Sequence, residues 1–110
     1  MKFTDSLKKN ADFRKVYRKG RSKADYFLVL YVLPNDKNIN RLGISVSKKV
    51  GNSVVRHYLT RLVRESYRLH ENSYGIGYDL VVVLRTSAKN TDFHQIEKSL
   101  LTLLKYQGLI

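Results

Sequence analysis

The stretch 48–68, KKVGNSVVRHYLTRLVRESYR, joins a basic turn to a periodic, arginine-rich run. Gly51 and Asn52 close the preceding loop, and Asn52 or Ser53 is placed to cap a helix. Val55, Leu59, Leu62, Ser66 and Leu69 recur at spacings of four, three, four and three, which predicts one packing stripe. At about 100° per residue, His57, Arg61, Arg64 and Arg68 gather on roughly the opposite side. Arg56 projects nearer one edge, and Tyr58 borders the apolar side. Such a helix needs a partner for its stripe, and the flanking segments supply one.

Upstream, RLGISVS (41–47) alternates Leu42, Ile44 and Val46 with small residues, the pattern of a strand with one face on a core. YFLVLYVL (26–33) reads as a strand rich in aromatic and branched residues that ends at Pro34, and PNDKNIN (34–40) as a polar turn. NADFRKVYRK (10–19) reads as a short helix stopped by Gly20, with Phe13, Val16 and Tyr17 sharing a face. Downstream, HENSYGIG (70–77) is an exit loop, and the hydrophobic YDLVVVL (78–84) suits a central strand partly covered on both faces. Phe93, Ile96, Leu100, Leu103 and Leu104 define a last amphipathic helix starting near Thr91. The order is αββαβα. It predicts an α/β (α+β) two-layer sandwich with a small mixed sheet, in one domain over 1–110.

Composition limits what this domain can be. The 110 residues suffice for one modest core, and a hydrophobic share of 43% argues against disorder. No cysteine is present, which removes disulfides and thiolate metal sites. The opening MKFTDSLKKNADF lacks the apolar core of a secretory signal, and no run reaches membrane-spanning length. A soluble cytoplasmic protein is the expectation. Twenty-one Lys and Arg stand against nine acidic residues, a formal +12, and such self-repulsion suits a polyanionic partner. A nucleic acid leads, with an anionic membrane surface second. The membrane reading lacks a free apolar edge, because the core already needs the regular stripe.

Catalytic motifs are absent. His57, His70 and His94 are scattered, and no HExxH, cysteine cluster or carboxylate pair stands out. GISVS lacks nucleophile-elbow spacing, YGIGYD lacks the dinucleotide fingerprint, and Asp12, Asp25 and Asp79 assemble no metal site in the sequence. The basic helix is a stronger lead. Arg56, Arg61, Arg64 and Arg68 offer forked donors to phosphate, and Lys48 and Lys49 offer mobile point charges. The plainer alternative is a solvated face with casual ion pairs. Phe13, Tyr17 and Tyr31 have two readings as well, stacking on unpaired bases or packing a short helix on the sheet. The faces of Tyr26 and Phe27 stay open.

SKKVGNSVVRHYLTRLVRE resembles the signature of the bacterial ribonuclease P protein subunit, in which a lysine-rich turn and Gly-Asn lead into an arginine-rich helix. The resemblance extends through LKKNADFRKVYRKG, YFLVLYVL, RLGISVSKK and YDLVVVLR, nearly the whole chain. Where the family often has Asn-Arg after Arg56 and then a lysine, this chain has His57, Tyr58, Leu59 and Thr60.

The resemblance implies a small protein that assists a catalytic RNA subunit in removing the 5′ leader of precursor tRNA by Mg²⁺-dependent phosphodiester hydrolysis. It implies that Phe13, Tyr17 and Tyr31 line a cleft for the single-stranded leader. Lys48, Lys49, Gly51, Asn52, Arg56, Arg61, Arg64 and Arg68 would face the RNA subunit. It also implies an unusual left-handed β-α-β crossover, where general rules favour the right-handed one. Mg²⁺ would be held mainly by RNA, with none bound tightly by the protein and no protein catalytic residue, and the free protein would be a monomer. The rival readings are a ribosomal or assembly RNA-binding protein and a stand-alone metal-dependent nuclease.

Overall fold

The computed structural model describes residues 1–110. In chain order the elements are β1 (Thr4–Ser6), α1 (Asn10–Lys19), β2 (Arg21–Ala24), β3 (Leu28–Pro34), β4 (Asn40–Val46), α2 (Ser53–Leu69), β5 (Tyr78–Leu84) and α3 (Phe93–Tyr106). Short 3-10 turns occupy Glu71–Ser73 and Thr86–Ala88. The five strands make one mixed sheet in the order β1-β4-β5-β3-β2. β3 is antiparallel to both β2 and β5, whereas β4 is parallel to both β1 and β5. Leu80 marks the centre, level with Val32 on one side and Leu42 on the other.

Period-2 alternation decides which residues meet which helix. Leu28, Leu30, Val32, Leu42, Leu80, Val82 and Leu84 face α2 and α3, where Leu59, Val63, Tyr67, Ile96, Leu100 and Leu104 complete the main core. α1 lies on the opposite face, its Val16 buried with Leu7 and Val81 beside Phe13, Tyr31, Leu33 and Val83. β5 is therefore covered on both faces, as its continuous hydrophobicity predicts.

Two strands go beyond the expected αββαβα order. β1 (TDS) and β2 (RSKA) carry no apolar alternation, and every residue of β2 is exposed. Both are edge strands, held by backbone pairing rather than by burial. The expected strand from Tyr26 begins instead at Leu28, because Asp25 Oδ1 accepts the backbone N–H groups of Phe27 and Leu28, both at 2.9 Å, and folds 25–27 into a turn. α3 starts at Phe93 behind a capping box of Asp92 and Gln95.

The stripe of α2 is rotated from its expected line. Leu59, Val63, Ser66 and Tyr67 are buried, Val55 and Leu62 are half-buried, and Leu69 is 52% exposed. Tyr67 explains the rotation. Its ring buries more apolar surface than Leu69 could, and its hydroxyl is satisfied by Thr4 Oγ1 at 2.9 Å.

Candidate nucleic-acid interface

α1 is held on the sheet by ion pairs at one side. Arg41 of β4 grips the buried carboxylate of Asp79 through Nε at 2.8 Å and a second nitrogen at 2.6 Å, and reaches Asp12 of α1 at 3.4 Å. Asn35 Nδ2 adds a 3.0 Å bond to Asp79. Burial alone would push the Asp79 carboxyl up, but the hydrogen bonds from Arg41 and Asn35 outweigh it and hold the group below its ordinary range. Further along α1, the Phe13 ring rests on the backbone of Gly43. A Cβ at 43 would lie 2.5 Å and 2.7 Å from two of its ring carbons.

These contacts bring the three aromatic residues together. Tyr17 and Tyr31 meet edge to face with ring centres 5.0 Å apart, and Phe13 lies 6.3 Å from Tyr17. Phe13 and Tyr31 are half-buried while Tyr17 is 39% exposed, so the set both packs α1 and presents an open edge. The register of β1 stops at Leu42, leaving the outer side of β4 beyond it without a strand partner. Two depressions follow that side. One of about 390 Å³ lies among Asn10, Phe13, Arg14, Tyr17, Ile44 and Ser45. The other, about 300 Å³, reaches from Leu7 and Lys8 to Thr60 and Arg64 of α2. Phe13 and Ile44 border both, making one trough between α1 and α2.

Of the basic segment, Thr60 and Arg64 reach the far side of the trough. Lys48 and Lys49 are exposed on the turn after β4. Gly51 and Asn52 have a structural part to play: a Cβ at 51 would lie 2.7 Å from Val55 Cγ1, and Asn52 Oδ1 caps α2 by accepting Val55 N–H at 3.0 Å. Arg56 is half-buried, with its Nε enclosed and unpartnered. Arg64 is exposed toward the trough, whereas Arg61 lies on the other flank of α2, beside Tyr58, Glu65 and Phe93. Arg68 is exposed but already paired with Glu65 at 2.5 Å. The expected residues thus fall into a trough group, a turn group and two outer helix positions rather than one flat face.

Asn10, Arg14, Ser45, Lys8 and Thr60 also line the trough and escape the sequence reading. Asn10 and Arg14 lie three residues before Phe13 and Tyr17, and Thr60 four before Arg64, so helical spacing pointed to these three. Lys8 and Ser45 lie off the helices and carried no such signal. No three His, Cys, Asp or Glu side chains gather where they could hold a metal, and Asp5 is the single carboxylate on the trough. The lining does not fit a protein-bound cation. It fits an anion with flat apolar groups.

A family model described as ribonuclease P matches residues 1–107. The chain belongs to the ribonuclease P protein family. It is 51% identical over 106 residues to a ribonuclease P protein component of Clostridium botulinum, covering 96% of each chain. It is 49% identical to that of Lachnoclostridium phytofermentans, covering 97% of this chain and 92% of the relative. The ribonuclease P protein of Staphylococcus aureus superposes with a TM-score of 0.85 at 42% identity, covering 94% of this chain and 95% of that one. The Thermotoga maritima protein does so with 0.85 at 31% identity, covering 93% and 96%. Family membership makes this chain a protein component of a bacterial ribonucleoprotein endoribonuclease that processes tRNA.

Proposed function

We propose that this protein assists an RNA-catalysed cleavage by holding the single-stranded 5′ leader of precursor tRNA in the trough while its basic turn and α2 dock on the catalytic RNA subunit. The observation that carries this reading is Phe13 and Tyr17 lining an open trough flanked by Arg14 and Arg64, with the Tyr31 ring set edge to face against Tyr17 just outside that lining. Rings stack on unpaired bases with little regard to identity, and the flanking guanidiniums neutralise the backbone. A leader varies in sequence, so such recognition suits it. The +12 charge reduces the repulsion between two RNAs that must approach each other. Magnesium, on this reading, is held mainly by RNA and substrate phosphate, so this chain's residues bind and orient rather than carry protons. On the same reading the free protein is a monomer in the cytoplasm; no helix of the chain is long and apolar enough to cross a membrane.

Holoenzyme reconstituted with Phe13→Leu, Tyr17→Leu or Tyr31→Leu tests the assignment. Leucine keeps apolar bulk on the α1 face while removing the ring. Precursors with leaders several nucleotides long should lose about 1–3 kcal/mol of protein-dependent affinity per lost stack, and mature tRNA should change little. Unchanged relative affinity for long-leader and leaderless RNA in folded variants removes the leader from the trough. Cleavage by protein alone would instead favour a stand-alone nuclease.

A further inference from the structure

The α3 face of the sheet carries a second aromatic feature, away from the trough. Tyr26 is 72% exposed, the second most exposed large hydrophobic residue after Val54. Its ring meets Phe27 edge to face at 5.1 Å, beside a depression of about 430 Å³ that also contains Gln95, Lys98 and Thr102 of α3. Phe27 packs into the core shared with α2 and α3, whereas Phe13 and Tyr31 belong to the α1 face. The two aromatic sets therefore lie on opposite faces of one sheet.

The turn bearing Tyr26 is fixed from several directions. Arg85 donates a side-chain N–H to the Asp25 carbonyl at 2.7 Å, and its backbone N–H bonds the Phe27 carbonyl at 2.9 Å. Ser87 Oγ donates to the Tyr26 carbonyl, and Ser99 Oγ to the Asp25 carboxylate. None of these bonds uses the Tyr26 ring. Exposing an aromatic ring on a turn held so firmly has no evident folding benefit, but it lowers the entropic cost of capturing a flat partner.

Charge around the site selects the partner. Arg85 and Lys98 are exposed there, with Lys89 close by in sequence. The register sets Leu28, Leu84 and Val46 level, so the turns at Tyr26 and at Lys48–Lys49 both emerge at the end of the sheet where β5 exits. Two strand spacings, about 10 Å, separate their parent strands. The only carboxylate on the depression is Asp25, and it already accepts from Phe27, Leu28 and Ser99. An aromatic ring beside cations that no carboxylate pairs matches a nucleotide better than an apolar peptide.

We propose that Tyr26 is a second base-stacking contact, taking an unpaired nucleotide of the catalytic RNA or of the tRNA body on the α3 face, with Lys98 and Arg85 toward its phosphates. The contact rests on the reading of this chain as an RNA-docking subunit, but it is independent of the leader. A leader held along α1 and β4 would have to turn over the end of the sheet to reach it.

Tyr26→Ala and Tyr26→Phe proteins titrated with the catalytic RNA, and the holoenzymes they form titrated with mature tRNA and precursors of graded leader length, provide the test. Tyr26→Ala should weaken binding to the catalytic RNA or to mature tRNA at least about fivefold, equally at every leader length, while Tyr26→Phe stays within about twofold of wild type. Whichever RNA shows the loss identifies the source of the nucleotide. Unchanged binding to all RNAs overturns the proposal, as does an equal loss in Tyr26→Phe, which would point to the hydroxyl. A loss that grows with leader length also overturns it, since the leader would then be the ligand. Phe13→Leu measured in parallel keeps the two readings apart: a leader effect there with no Tyr26 effect leaves the trough standing and removes only the second contact.

Discussion

At the scale of single residues, Gly43 controls what the trough can hold. Its negative φ would suit any residue, so the constraint is space rather than backbone conformation. The Phe13 ring occupies the volume where a Cβ would stand, and Leu7 Cβ closes the other side at 3.3 Å. Gly43→Ala should therefore lift Phe13 into the trough, costing about 1–3 kcal/mol of stability through overpacking and selectively weakening long-leader precursors. The double variant Gly43→Ala/Phe13→Leu should recover part of that stability, because leucine is shorter and more pliable than the ring. Thermal unfolding of the three variants checks this directly. A double variant no more stable than Gly43→Ala would show that the ring is not what the new methyl meets. The sequence exposed one side of this relation only. RLGISVS announced a strand, but a glycine on the strand face opposite its apolar residues has no visible purpose until α1 is seen to cross that face.

At the scale of elements, α1 is tethered through charge as well as packing, since Arg41 joins Asp12 of the helix to Asp79 of the central strand. Arg41→Met should leave the Asp79 carboxylate buried with Asn35 as its remaining side-chain partner, at a cost of about 2 kcal/mol or more. The pH dependence follows from the direction of the shift. Asp79 is held below its ordinary value in the folded protein, so the pair stabilises above the unfolded carboxyl's titration range and is lost as pH falls through the native one. In Arg41→Met the same carboxyl, buried and unpaired, protonates more readily. The stability gap between wild type and variant should thus narrow below about pH 4 in melts taken across pH, and a gap constant down to pH 3 would contradict the pairing. β1 illustrates what element-level reading misses. Thr4–Ser6 is a strand because Tyr67 and Asn40 meet it, while Glu71 accepts the N–H groups of Lys2 at 2.9 Å and Phe3 at 3.2 Å. Those partners lie 36 to 69 residues away, beyond any local pattern. α2 and α3 were legible because their caps and apolar spacing are local.

For the molecule as a whole, the question is how its +12 charge is divided among separate surfaces. Arg68 is exposed yet engaged by Glu65, and Arg61 and Arg64 sit on different flanks of α2. A uniform basic face would make these three interchangeable, whereas the observed arrangement ranks them. Charge reversal at Arg61 and Arg64 together should weaken assembly with the catalytic RNA far more than it changes the melting temperature, because both side chains lie outside the core. It should also reduce the log–log salt slope of binding by roughly 1 per lost phosphate contact at most. Arg68→Ala should cost less, since an exposed pair with Glu65 contributes little to the fold and already occupies the guanidinium. Titrating the catalytic RNA at several salt concentrations separates the cases. An unchanged affinity and slope in the folded double variant would remove α2 from the RNA interface, and an Arg68→Ala loss equal to the double variant's would restore the uniform face.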